Sequence, residues 1–215
     1  MSVLVKVTSA LILVTAHVVT AVRGVWQSTD PVVKQRIYFA NHSSHGDFVL
    51  VWTVLPSHLR AQTRPVAGAD YWLGSQLKQF IGQSVFNAVL IDRNPETRQA
   101  DPVEQMAEAL DANDSLILFP EGTRNTTEDI LLPFKAGLFN LAIARPHVDL
   151  VPVWIDNLNR VMPKGALLPI PLICTVTFGD TLHIEEDEDK EAFLNRAEKA
   201  LLDLAPGHEV AETAS

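Results

Sequence analysis

Two short apolar stretches of this chain end abruptly in clusters of polar and charged residues. The first, residues 36–40, leads into residues 41–47, which carry two imidazoles, a carboxylate, two hydroxyls and an amide. The second, residues 115–119, leads into residues 120–125, which carry two charged side chains, a hydroxyl and a glycine. Apolar runs of this length bounded by polar turns are typical of buried strands. Because α/β sheets bind ligands beyond the carboxyl ends of their strands, both clusters are candidates for the functional site.

His42 and Asp47 are the residues of the first cluster best suited to catalysis. On a continuous helix their spacing would place them about 140° apart, so the two side chains would not meet. They can meet if His42 lies in a loop and Asp47 lies in the first turn of the helix expected over residues 48–55. A histidine held by a carboxylate is an oriented general base. The same residues also fit a polar loop with a helix-capping aspartate.

Four short motifs follow one another along the chain. Residues 42–47 form a His-x4-Asp motif, and residues 119–124 read Phe-Pro-Glu-Gly-Thr-Arg. Residues 90–93 end in an arginine, and residues 151–153 read Val-Pro-Val. In this order they resemble the four motifs of the glycerolipid acyltransferases, the 1-acyl-sn-glycerol-3-phosphate (lysophosphatidic acid) acyltransferase family. The third motif matches the family pattern at every position.

The resemblance implies an acyltransferase that moves a fatty acyl chain to the free hydroxyl of a lysophospholipid. Lysophosphatidic acid, which would become phosphatidic acid, is the first-choice acceptor, and another lysolipid is the alternative. The implied donor is acyl-ACP or acyl-CoA as a co-substrate, and no cofactor is implied. The implied partners are membrane lipid, the lysophospholipid and the acyl carrier protein or coenzyme A thioester, at the cytoplasmic face of the inner (plasma) membrane. No basic run suggests a nucleic acid partner.

The resemblance also implies roles for individual side chains. His42 would be the general base and Asp47 its orienting partner, because an imidazole with an ordinary pKa of about 6.5 can take a hydroxyl proton near neutral pH. The predicted substrate-binding residues are Arg93, Glu121, Gly122, Thr123, Arg124 and Lys135. The two arginines are expected to bind the acceptor phosphate, and Lys135 to add a point charge. Since a carboxylate would repel the acceptor phosphate, Glu121 is expected to hold an arginine or a substrate hydroxyl. No residue is assigned as a metal ligand.

Other functions fit parts of the same pattern. His42, His45 and Asp47 could be three ligands in a metal-dependent hydrolase. The chain could also retain phosphate binding without catalysis and act as a non-catalytic lipid-binding module. An acyl-enzyme on Ser43 or Ser44 is disfavoured, because neither serine lies in a Gly-x-Ser-x-Gly elbow.

Strand-like and helix-like segments alternate, which predicts an α/β fold with a mixed, largely parallel sheet, helices on both faces and an N-terminal membrane-associated helix. Beyond the two stretches above, strands are expected at residues 63–67, 85–91, 150–155 and 173–178. Helices are expected at residues 71–81, from Pro102 onward, and at residues 137–145 and 193–204, with loops from residue 25 and at residues 163–171. The helix from Pro102 is indicated by an acidic cap at Asp101, the proline in the first turn and apolar residues at helical spacing. Trp72, Leu77 and Phe80 are the expected buried side of the helix at residues 71–81.

Composition divides the chain into three parts. Residues 7–22 carry no formal charge, so residues 1–25 are expected to form a membrane-seated or interfacial helix, although a spanning helix needs about 20 apolar residues. A core-packing helix or a signal peptide would have a similar composition. Residues 26–204 would form the acyltransferase domain, and residues 205–215 a disordered tail. The single cysteine excludes an internal disulfide.

Overall fold

A seven-stranded sheet forms the centre of the computed structural model, which describes residues 2–27, 29–94, 96, 98–156 and 174–207. The strands are β1 (Arg23–Trp26), β2 (Arg36–Ala40), β3 (Thr63–Gly68), β4 (Val89–Ile91), β5 (Ser115–Leu118), β6 (Asp149–Asp156) and β7 (Thr175–Phe178). Their order across the sheet is β1-β7-β6-β2-β5-β3-β4. The pair β6–β7 is antiparallel, and the other neighbouring pairs of described strands are parallel. The predicted mixed, largely parallel sheet is confirmed.

Helices pack on both faces of this sheet, as predicted. They are α1 (Val3–Thr20), α2 (Asp47–Val54), α3 (Ser57–Arg60), α4 (Ala69–Trp72), α5 (Gln76–Gln79), α6 (Pro102–Asp111), α7 (Gly137–Ala144) and α8 (Lys190–Leu202), with a π-helical segment over Phe80–Val85. One apolar core joins the sheet to α1, α2 and the π-helical segment. The other joins it to α6, α7 and α8.

The central strand β2 places the first polar cluster. It lies between β5 and β6, and all five of its residues are buried. Because side chains alternate along a strand, Tyr38 packs in one core and Phe39 in the other. Asn41 then fastens the strand end, since its Nδ2 donates to the carbonyl of Ile155 at 3.0 Å and its Oδ1 accepts from the Ile155 N–H at 2.8 Å. The loop that carries His42 therefore starts from a fixed point.

The expected start of α6 is confirmed in detail. The Asp101 side chain accepts a hydrogen bond from the N–H of Val103 at 2.7 Å, and Pro102 occupies the first turn. Met106 and Leu110 are buried at helical spacing against the sheet. Capping, proline placement and apolar periodicity all agree here, which is why the sequence is sufficient to place this helix.

Three expectations about the chain are corrected. The loop expected from residue 25 overlaps β1, which begins at Arg23 and has no apolar run to reveal it. The single helix expected at residues 71–81 is broken into α4, α5 and the π-helical segment, and Leu77 is 68% exposed rather than buried. The strand expected from Val85 begins at Val89, because Val85 ends the π-helical segment and Asn87 adopts a φ of 50°.

Other expectations fall outside the part of the chain that the structure describes. These are the loop at residues 163–171, the start of the strand at residue 173 and the tail from residue 208. Within the described ranges, the later strand begins at Thr175 and the last helix covers Lys190–Leu202.

The N-terminal helix α1 is longer than the uncharged run that predicted it. Within the described ranges, it is the helix long and apolar enough to cross a membrane by length and composition. A core helix or a signal sequence can meet the same criterion. Val7, Leu11 and Val18 are exposed on this helix, whereas Ala16 is buried. The carbonyl of Thr20 accepts from the N–H of Cys174 at 2.9 Å, which ties the helix end to the sheet.

Candidate active site

His42 and Asp47 meet at the junction of β2 and α2. Because α2 begins at Asp47, His42 lies in the preceding loop, and its Nδ1 is 2.9 Å from Asp47 Oδ2. The same oxygen accepts from the N–H groups of Ser43 and Ser44 at 2.7 and 2.8 Å. An ionised carboxylate can only accept, so Nδ1 carries the imidazole proton and Nε2 holds the lone pair. The expected meeting is confirmed, while the role of His42 as a base stays a prediction.

The segment after β5 fixes the backbone of His42 on both sides. Glu121 Oε1 accepts from the His42 N–H at 2.7 Å, and the Asn125 N–H donates to the His42 carbonyl at 2.6 Å. Glu121 Oε2 accepts from the Leu132 N–H at 2.9 Å. The carboxylate therefore holds two backbone amides, in place of the arginine or substrate hydroxyl expected from the sequence. Burial raises the pKa of Glu121, and the two amide hydrogen bonds oppose that rise.

An aromatic ring sets the plane of the His42 imidazole. The ring of Phe119 stacks on it with centroids 4.2 Å apart and planes 18° apart. The His42 side chain keeps 19% of its surface exposed, so the ring stays accessible beside the cavity described next. Sequence analysis did not assign a role to Phe119, although its position in the matched third motif was a usable signal.

A cavity of about 340 Å³ opens beside His42, a volume within the range of small-molecule sites. It lies beyond the carboxyl ends of β3, β4 and β5. The predicted site residues in its wall are His42, Arg93, Gly122, Thr123 and Arg124. The apolar side chains in its wall include Phe48, Val66, Trp72, Ile91, Leu118 and Phe119. The cavity thus combines the imidazoles of His42 and His45, two guanidinium groups and an apolar wall.

Lys135 is not among the residues that line the cavity, and its expected role as a point charge beside the substrate stays a prediction. Its stem packs against Gly122, where an added Cβ would lie 3.1 Å from Lys135 Cγ. Its backbone N–H donates to the carbonyl of Pro120 at 2.8 Å. Gly122 has a φ of 69°, a conformation that glycine adopts without strain. Lys135 therefore supports the turn that carries Gly122.

The two predicted phosphate-binding arginines have different surroundings. Arg93 Nη2 donates to both carboxylate oxygens of Asp70 at 3.0 and 2.9 Å. Arg124 has no ion-pair partner among the described residues. Sequence analysis missed Asp70, because a contact between residues 23 positions apart leaves no mark in local spacing.

The three ligands of the alternative metal site are not brought together. His42 Nδ1 is engaged by Asp47, whereas His45 stacks on the ring of Tyr71 with centroids 4.7 Å apart. Burial and then the nearby Arg124 lower the pKa of His45. Across the residues that the structure covers, no three His, Cys, Asp or Glu side chains are grouped so that they could hold a metal ion.

A family model described as Acyltransferase matches residues 26–156. The matched segment runs from the end of β1 through β6 and contains every predicted site residue. The chain belongs to the acyltransferase family. The segment from Phe119 to Asn125, which contains the third motif, surrounds His42. The Phe119 ring packs on the imidazole, and Glu121 and Asn125 hydrogen-bond to the His42 backbone.

Relatives of this acyltransferase-family chain come from plants and bacteria. The 1-acyl-sn-glycerol-3-phosphate acyltransferase of Limnanthes douglasii is 31% identical over 163 residues, covering 71% of this chain and 52% of that protein. The protein of the same name from Escherichia coli (strain K12) is 32% identical over 138 residues, covering 58% and 51%. The chain thus spans about half the length of these curated relatives.

A solved structure shares the fold. It is the crystal structure of the 1-acyl-sn-glycerophosphate (LPA) acyltransferase, PlsC, from Thermotoga maritima, with a TM-score of 0.68 and 20% sequence identity. The similarity covers 92% of this chain and 78% of that one. It therefore includes the sheet and the helices on both of its faces.

Proposed function

We propose that this chain transfers a fatty acyl group from an acyl thioester to the free hydroxyl of lysophosphatidic acid, giving phosphatidic acid. The observation that carries the proposal is the His42–Asp47 pair, 2.9 Å apart, at a cavity whose wall also holds Arg93 and Arg124. The relatives are 1-acyl-sn-glycerol-3-phosphate acyltransferases, which supports the choice of acceptor. Acyl-ACP and acyl-CoA present the same thioester, so both remain candidate donors.

In the proposed reaction the acceptor hydroxyl attacks the carbonyl carbon of the thioester. Nε2 of His42 takes the hydroxyl proton as the new C–O bond forms, and Asp47 stabilises the imidazolium through Nδ1. The C–S bond then breaks, and the imidazolium returns its proton to the departing thiolate. The products are the acylated lipid and a free thiol, and no side chain of the protein is acylated. A positioned base of this kind accelerates a reaction by about 10²–10⁴-fold.

The charged part of the wall suits an acceptor that carries a phosphate. A guanidinium group can bind phosphate oxygens through two parallel N–H bonds, and Arg93 and Arg124 follow the ends of β4 and β5. Gly122 brings the backbone to the cavity without a side chain, and Thr123 adds a hydroxyl to the same wall. These four residues are the proposed contacts of the acceptor head group. Glu121 supports them from behind through the loop backbone.

The apolar part of the wall suits the acyl chain near its reacting carbon. Phe48 of α2 belongs both to this wall and to the core, whereas Leu50 and Val51 of the same helix belong to the core and do not line the cavity. Membrane association through the exposed apolar side chains of α1 would bring the cavity to its lipid substrates. We place this association at the cytoplasmic face of the inner membrane, where acyl-ACP and acyl-CoA are available.

The direct test is to incubate the purified chain with labelled acyl-ACP or acyl-CoA and a panel of lysolipids. Mass spectrometry then identifies every product. We expect phosphatidic acid from lysophosphatidic acid, with weaker turnover of lysolipids that bear larger head groups. Release of free fatty acid alone would indicate a hydrolase, and binding without turnover would indicate a lipid-binding module. Either result would contradict the proposed function.

A further inference from the structure

The ion pair between Asp70 and Arg93 forms part of the cavity wall. Asp70 lies in α4, just past the end of β3, and Arg93 lies just past the end of β4. These two strands are parallel neighbours, with Gly68 paired to Ile91, so their carboxyl ends bring the two side chains together. Both side chains line the cavity that His42 also lines. The pair is therefore a feature of the site as well as of the surface.

Gly68 makes the space in which this pair lies. A Cβ added there would lie 2.4 Å from Asp70 Oδ1 and 2.7 Å from Arg93 Nε. Its backbone has φ −69° and ψ 126°, which any residue can adopt. The missing side chain therefore leaves room for Asp70 and Arg93, and the backbone conformation does not require glycine.

The contact with Asp70 leaves most of the arginine available. Nη2 donates to both oxygens of Asp70, whereas Nε and Nη1 have no hydrogen-bond partner in the described part of the chain. A guanidinium has five N–H donors, so an anion can bind Arg93 while Asp70 holds it. The wall contains two arginine side chains, Arg93 and Arg124, and one aspartate side chain, Asp70. The wall thus keeps an excess of positive charge for a phosphate.

We propose that Asp70 is a positioning residue that fixes Arg93 in the cavity wall and so favours acceptors that carry a phosphate. This inference rests on the proposed function. The Arg93 side chain is 48% exposed and would otherwise sample many rotamers, so holding it in place removes an ordering cost from binding. Asp70 acts through Arg93 and does not itself contact the acceptor.

The test compares steady-state kinetics of the whole chain with lysophosphatidic acid and with monoacylglycerol, which has no phosphate. We expect Asp70→Ala to raise the KM for lysophosphatidic acid about two- to fivefold, the size expected of an exposed ion pair, with kcat unchanged. Asp70→Asn should give a smaller increase, because its amide oxygen can still accept from Arg93. Turnover of monoacylglycerol should not change in either variant.

Gly68→Ala is a second variant that keeps both charged residues. The added methyl group would displace the pair, so it should raise the KM for lysophosphatidic acid in the same direction as Asp70→Ala. Asp111→Ala is the matched control, because it breaks the Asp111–Arg145 pair, which lies outside the cavity wall. It should leave the KM for both acceptors unchanged.

A double-mutant cycle decides whether Asp70 acts through Arg93. In an Arg93→Ala background, Asp70→Ala should cause no further rise in KM for lysophosphatidic acid. A lower KM in Asp70→Ala would show that Asp70 competes with the phosphate, and an undiminished rise in the Arg93→Ala background would show an independent effect. Either result overturns the inference. Failure of the proposed function would be distinct, because the wild-type chain would then not acylate lysophosphatidic acid.

Discussion

The backbone N–H of His42 donates a hydrogen bond to Glu121 Oε1, 2.7 Å away, across 79 positions of sequence. The third motif thus positions the first, because the Glu121 carboxylate holds the loop that carries the His42 imidazole. Glu121 is 1% exposed, so this contact is made without competition from bulk water. This backbone role explains why an acidic residue lies beside the proposed phosphate-binding site.

We predict that Glu121→Ala lowers both stability and turnover. The substitution leaves the partly buried N–H groups of His42 and Leu132 without their charged acceptor, which should cost about 1–3 kcal/mol of unfolding free energy for each hydrogen bond lost. The loop that carries His42 should also lose its fixed position. Urea unfolding and kcat measure the two effects. Glu128→Ala, an exposed substitution in the same segment, is the control and should match wild type in both.

Glu121 should also make stability depend on pH. Burial raises its folded-state pKa above the ordinary 4.5, so the folded chain binds this proton more tightly than the unfolded chain. The stabilising contribution of the protonated group is complete below the unfolded-state pKa and is lost as the pH rises through the folded-state pKa. Glu121→Gln cannot ionise and should lack this loss. Parallel curves of unfolding free energy against pH for the two proteins would contradict the prediction.

Arg93→Ala and Arg124→Ala should each raise the apparent KM for lysophosphatidic acid. Loss of a charge-assisted hydrogen bond to phosphate should reduce kcat/KM roughly tenfold or more. Arg145→Ala, which removes an arginine outside the cavity wall, provides the control. Wild-type kinetics in both cavity variants would show that neither guanidinium binds the phosphate.

Removal of residues 1–19 should shift the protein from the membrane fraction to the soluble or aggregated fraction. The deletion removes the exposed apolar side chains of α1 but keeps Thr20, whose carbonyl accepts from Cys174, and all of β1. The sheet should therefore stay folded, as circular dichroism can verify. Flotation with lipid vesicles measures the association directly. If the chain without this deletion remains a monomer in solution in the absence of detergent, α1 is not an anchor.

The sequence was sufficient to predict the structure where the contacts that define it are local. The spacing of His42 and Asp47 required a loop followed by a helix, and the structure has that arrangement. The start of α6 followed from its cap, its proline and its apolar period. In each case the decisive contacts join residues a few positions apart, so a short sequence pattern contains them.

The sequence was insufficient to predict contacts that join distant segments of the chain. The link from Glu121 to the His42 backbone and the link from Asp70 to Arg93 both depend on which strands lie side by side. The break in the helix expected at residues 71–81 is a different case, because it has a local signal. Ser75 caps α5, and its side chain accepts a hydrogen bond from the Lys78 N–H at 3.3 Å.

The central claim is that one imidazole, held by one carboxylate, carries acyl transfer. His42 Nδ1 contacts Asp47, whereas the neighbouring His45 stacks on Tyr71 at the cavity wall. A general base requires the first histidine alone, whereas a metal site built on both would require the two equally. The two histidines are three positions apart, so they form a matched pair for substitution.

The most direct measurement is kcat for transfer of an acyl group to lysophosphatidic acid by His42→Ala, Asp47→Asn and His45→Ala, each compared with wild type. Folding of each variant is checked by thermal unfolding. We expect His42→Ala and Asp47→Asn to lose roughly two to four orders of magnitude in kcat, and His45→Ala to retain substantial activity. Equal loss in both histidine variants, together with a stoichiometric bound zinc whose removal abolishes turnover, would contradict the account.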